Sequence, residues 1–141
     1  MGQQQILLIL LSVVIVSVAI ATGITVFNER TKIANRNAII QDMYNIASLA
    51  IAYHRTPAIQ GGGGGTWDVE NFYRFAGYPL TRNGKRIQTE NGQILVQEIA
   101  RGRLRINGYG SQIGFDEENA IRARLILSGS GIDDMTFTIL N

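Results

Sequence analysis

The sequence has no cysteine, one histidine, one tryptophan, two prolines, and no charged side chain before Glu29. Without cysteine there are no disulfides, no zinc–thiolate sites and no thiol chemistry. Secretion stays open, since an oxidising compartment permits disulfides without requiring them. With His54 as the single histidine, no Ser–His–Asp spacing can be argued, and no pair of carboxylates stands out in an apolar setting. The expectation is a protein that is not an enzyme, with no cofactor, no metal and no small-molecule substrate. His54 is expected to cap a helix end or to pack on Trp67.

The 141 residues suffice for one small domain. The excess of positive charge is local. Residues 28–55 hold Arg30, Lys32, Arg36 and Arg55 against Glu29 and Asp42, while residues 56–141 hold nine basic and nine acidic side chains. A neutral C-terminal part argues against a nucleic-acid partner.

The 22 residues Ile6–Phe27 are uncharged and mostly apolar. As a helix they span about 33 Å, one hydrocarbon thickness. Three readings compete. A cleavable signal is disfavoured, because no Lys or Arg precedes Ile6 and the run exceeds the usual 7–15 residues. A single-span anchor is allowed by length, but Arg30, Lys32 and Arg36 follow the span and would place the rest of the chain on the cytoplasmic side. The third reading is a longer helix that persists as a working part. From Asn28 to Arg55 there is neither proline nor glycine, so a helix is expected from about residue 3 to 55, ended by Pro57. Its second half carries two apolar rows, Ile33, Ile40, Tyr44, Ala47, Ile51 and Ile39, Met43, Ile46, Ala50, Tyr53. One row serves to pack a helix on its own domain. Two suggest either a wide buried face or a second covered surface.

Beyond the helix, the five glycines Gly61–Gly65 lack the following Gly-Lys-Ser/Thr of a phosphate loop, and are expected to be a flexible connector. "TWDVENFYRFAGYP" reads as a short helix capped by Thr66 or Asp68 and ended by Gly77, with Trp67, Phe72, Phe75 and Tyr78 in the core. Strands are expected at about 86–90, 93–100, 103–107, 121–128 and 135–140, with turns at Asn83-Gly84, Asn91-Gly92 and Asn107-Gly108. The fold class is α+β: a long helix packed on a small antiparallel meander. The divisions are an apolar helix half at 1–27, an amphipathic half at 28–56, a connector at 57–66 and a small globular domain at 67–141. Arg101, Arg103 and Arg105 share a strand face, with Arg122 and Arg124 as neighbours. They are a candidate contact for DNA or an anionic surface, weighed against the commoner solvated sheet face. The acidic stretches Phe115–Asn119 and Asp133-Asp134 match no calcium-loop spacing and read as turns.

The opening "MGQQQ", the uncharged run, its amphipathic continuation and the β-rich remainder resemble a type IV pilin or pseudopilin. The resemblance implies a subunit of an extracellular, cell-surface filament, inserted in the inner membrane before assembly and handled by a pilus machinery. It implies a homo-oligomer bundled through Ile6, Leu7, Leu10, Val14, Ile15, Val18 and Ala21. It also implies a peptidase cut after Gly2, leaving Gln3 first; the fifth residue is then Leu7, where the family has a glutamate. The alternative is a membrane-anchored accessory pseudopilin or binding module of a secretion or pilus system.

Overall fold

The computed structural model describes residues 2–79, 86–99, 102–114, 116–129 and 131–140. A single helix, α1, runs from Gly2 to Arg55, 54 residues, or about 81 Å. No proline interrupts it, and it stops where Pro57 removes an N–H donor. A short helix α2, Val69–Phe75, follows; the Asp68 carboxylate accepts from the Glu70 and Asn71 backbone N–H groups and caps it. Five strands complete the fold: β1 Arg86–Thr89, β2 Gly92–Ile99, β3 Arg103–Ile113, β4 Ala120–Leu127 and β5 Met135–Ile139. They form one antiparallel sheet in sequence order, β1-β2-β3-β4-β5. This is the α+β meander on a long helix that the sequence patterning implies.

The second half of α1 packs across one face of the sheet. The row Ile39, Met43, Ile46, Ala50 and Tyr53 is buried against Ile94, Val96, Leu104, Ile106 and Leu125, with Phe72 and Tyr73 of α2 in the same cluster. Each large side chain so buried contributes about 1.5–3 kcal/mol, which fixes the helix to the sheet. The other row behaves differently: Ala47 and Ile51 are buried, but Ile33 and Tyr44 are exposed. Tyr44 stacks on Phe137 of β5, at 5.8 Å.

Three local expectations are corrected. Asn107-Gly108 is not a turn: β3 continues through it to Ile113. Gly108 lies directly beneath α1, where a Cβ would come within 2.5 Å of the Met43 Sδ and 2.7 Å of an Ile39 methyl, so the glycine permits close approach of helix to sheet. Phe75 is exposed, and Tyr73 takes its place in the core. The five glycines are not a loose connector. The Gly63 N–H donates to the Tyr53 carbonyl at 2.8 Å, Gly64 to Thr56 at 2.9 Å and Gly65 to His54 at 2.9 Å, so the segment folds back and satisfies the carbonyls that a helix end leaves open. Asn83-Gly84 lies outside the described residues.

Candidate functional site

The first half of α1 contributes nothing to the buried core, whose α1 residues begin at Ile39. Every residue from Gly2 to Arg30 is exposed, and its large apolar side chains are 44–69% accessible. Gly2 and Gln3 lie at the helix start, and Ile6, Leu7, Leu10, Val14, Ile15, Val18 and Ala21 are all exposed on the free shaft. At 3.6 residues per turn, Leu7, Leu10, Val14, Val18 and Ala21 share one side while Ile6 and Ile15 flank it; the exposed Leu8, Ile9, Val13, Val16 and Ile20 carry the apolar surface round the other side. Exposed apolar area this large marks an interaction surface.

The polar groups of the shaft are already satisfied. Ser12 donates its hydroxyl to the Leu8 carbonyl at 2.7 Å, Ser17 to Val13 at 2.7 Å, Thr22 to Val18 at 2.9 Å and Thr25 to Ala21 at 3.1 Å. Each bond runs back one turn, so these hydroxyls need no outside partner in a dry environment. Helix α1 is long and apolar enough to cross a membrane. The shaft is suited to hydrocarbon or to the company of similar helices.

A polar clamp holds the shaft to the domain where α1 reaches the sheet. Asn35 Nδ2 donates to the Asn91 carbonyl at 2.9 Å and to Ser111 Oγ at 3.0 Å, while its Oδ1 accepts from the Gln112 N–H at 3.3 Å. Asn91 in turn donates through Nδ2 to Asp42 at 2.9 Å. The β3–β4 register shifts between Tyr109 and Ile113, and Asn35 replaces a ladder partner at that irregularity. This clamp was not legible in the sequence; asparagines beside turn glycines read as turn formers, and nothing local links residues 35 and 91.

At the other end, His54 packs on Trp67 with ring centroids 4.4 Å apart. Burial pushes the Tyr73 hydroxyl up to about 12, opposed by a backbone hydrogen bond at Val96. Burial, with the nearby Asp68 charge second, also raises Tyr53. Both are core groups. Among the described residues no three His, Asp or Glu side chains converge on a metal position. In the loop after β3, Asp116 accepts from the Glu118 and Asn119 N–H groups and forms a turn.

Arg103, Arg105, Arg122 and Arg124 lie on the sheet face opposite α1, and Arg86 joins them from β1. Arg101 lies outside the described residues. The sequence reading missed Arg86, since only the strand register brings β1 beside this set. Their neighbours are neutral: Arg86 donates to Gln93 Oε1 at 3.0 Å, Arg122 to Asn119 Oδ1 at 3.2 Å and Arg124 to Asn107 Oδ1 at 3.3 Å.

No protein-family model, no curated protein and no solved structure matches the chain. The layout of a long apolar N-terminal helix with a small antiparallel sheet on its second half is compatible with a pilin-like architecture.

Proposed function

We propose that the chain is the structural subunit of a type IV pilus-like filament, held together by bundling of the apolar halves of α1. The observation that carries this is the apolar shaft: every residue from Gly2 to Arg30 is exposed on a helix continuous with the domain. Water is an unfavourable surrounding for that surface, and a bundle of like helices removes it from water without new chemistry. Burial of about 1,000 Å2 per subunit corresponds to roughly 25 kcal/mol before entropy is subtracted. The exposed Ile33 and Tyr44 continue the apolar surface toward the domain and extend the same contact. Before assembly the shaft resides in a membrane. The filament is extracellular, and Gly2 and Gln3 flank the proposed processing point.

A second reading, a membrane-anchored accessory module, is favoured by one feature. Arg30, Lys32 and Arg36 follow the span, which suits a domain that stays beside the membrane on the cytoplasmic side. The test is Leu10→Asp or Ile15→Asp. Either places a charge in the proposed bundle and abolishes fibres in sheared supernatants. Wild-type fibre yield from these variants overturns the bundled-helix reading. A wild-type chain found only as a monomer in the membrane fraction favours the accessory module.

A further inference from the structure

The uncharged run of α1 sets the depth of any bilayer that holds the shaft. Ile6–Phe27 rises about 33 Å, one hydrocarbon thickness, so Phe27 stands at the hydrocarbon boundary. Residues 28–32 rise about 7.5 Å further, and the headgroup layer on each side is about 5–7 Å thick. The stretch of α1 from Asn28 to Lys32 therefore crosses the headgroup layer.

The end of β3 comes down to the same level. Across a notch of about 460 Å3, Phe27, Asn28 and Lys32 of α1 face Gln112, Ile113 and Glu117. The Asn35 clamp holds the two walls together one turn above, where the Gln112 N–H donates to Asn35 Oδ1 at 3.3 Å. The notch is thus a fixed feature of the junction between shaft and domain. Its apolar members are open: Phe27 is 69% and Ile113 55% accessible. One wall carries an ammonium group, the half-buried Lys32, and the other a carboxylate, the exposed Glu117.

We propose that this notch binds the headgroup of a zwitterionic phospholipid and seats the domain on the bilayer while the shaft spans it. Lys32 takes the phosphate, and Glu117 takes the ammonium of the same headgroup. The amides of Asn28 and Gln112 supply neutral hydrogen bonds, and Phe27 and Ile113 lie against the acyl boundary, as apolar side chains of interfacial segments do. Depth selects a lipid, since nothing else surrounds α1 at that level before assembly. Charge selects the class: an anionic headgroup pairs with Lys32 but is repelled by Glu117. The site rests on the membrane residence of the shaft proposed above, and not on bundling.

The chain has no cysteine, so a single introduced cysteine carries a bimane label at a chosen position. The full chain labelled at Ile113→Cys is reconstituted in phosphatidylglycerol vesicles holding a minor fraction of phosphatidylcholine with a nitroxide on its choline. Glu29→Cys, in a groove on the other side of α1 with Val26, Arg30 and Ile33, reports contact with bulk lipid at the same depth. Ile132→Cys is the distant control: it lies beside Met135, which is in register with Leu127 and so with Leu104, about 30 Å along β3 from Ile113. The label at 113 loses more fluorescence to the nitroxide than the label at 29, and the label at 132 loses none. K32Q/E117Q lowers the loss at 113 to that at 29. Quenching at 113 no greater than at 29, or unchanged in K32Q/E117Q, overturns the headgroup site. Leu10→Cys checks the premise separately. Quenching there by a mid-chain nitroxide lipid places the shaft in the bilayer; its absence overturns membrane residence and the headgroup site together.

Discussion

Gly63→Ala separates a glycine segment that caps a helix from one that merely connects. In the structure a Cβ at Gly63 would stand 2.3 Å from the Thr66 carbonyl oxygen and 2.8 Å from a Tyr53 ring carbon. One of those atoms is backbone and the other belongs to a buried ring, so the loop must move. The movement breaks the Gly63 bond to Tyr53 and strains its neighbours from Gly64 to Thr56 and Gly65 to His54. At about 1 kcal/mol net per bond, loss of two or three costs about 2–3 kcal/mol. Removing glycine entropy from the unfolded chain returns about 0.4–1 kcal/mol, leaving a net destabilisation of about 2 kcal/mol. A flexible connector predicts the opposite sign, since only the unfolded-state gain remains. Trp67, the single tryptophan, sits against His54 beside the loop, so its fluorescence during urea unfolding in non-ionic detergent reports the effect directly. A Gly63→Ala variant as stable as wild type, or more stable, refutes the capping account.

The clamp and the core make further predictions. Asn35→Ala removes three hydrogen bonds between α1 and the sheet region; it lowers stability by about 1–3 kcal/mol and speeds amide exchange at Gln112, whose N–H loses its acceptor, and at Ser111, whose N–H donates to the same Asn91 carbonyl, readable by hydrogen-exchange mass spectrometry. Gly108→Val drives a branched side chain into Met43 and Ile39 and costs at least 1–3 kcal/mol, roughly the penalty of overpacking, measured by the same unfolding assay. Tyr73 gives a pH dependence. Its hydroxyl is raised from 10.0 to about 12 in the fold, so the neutral form is the one the core accepts. Its contribution is fully present below pH 10 and is lost as pH rises from 10 through about 12, a change of about 3 kcal/mol. Tyr73→Phe reduces that loss, as followed by alkaline unfolding.

The large features were legible because periodicity and punctuation agree with the tertiary arrangement. An unbroken stretch without proline from Met1 to Thr56 gave α1 to within a residue or two of Gly2–Arg55. Alternation in Ile121, Ala123, Leu125 and Leu127 gave β4, and the same signal gave β5. Glycine was the residue that misled, because its local meaning is ambiguous. Gly108 read as a turn, yet it is the gap that admits Met43. Gly61–Gly65 read as slack, yet the run wraps the end of α1. Both roles depend on atoms distant in sequence or on a fold-back that composition cannot reveal. The Asn35–Asn91–Asp42 clamp was hidden for the same reason, as was Arg86, which joins the arginine face only through the register of β1 on β2. The apolar shaft was visible at once, since 28 uncharged opening residues leave no polar side of the helix.

Electron cryo-microscopy of material sheared from the cell surface tests the central claim most directly. The account predicts fibres in which residues 6–27 of each chain lie against the same residues of neighbouring chains, with the sheets arrayed outside. A map in which those residues are missing, or surrounded by detergent or lipid with no sister helix in contact, contradicts it.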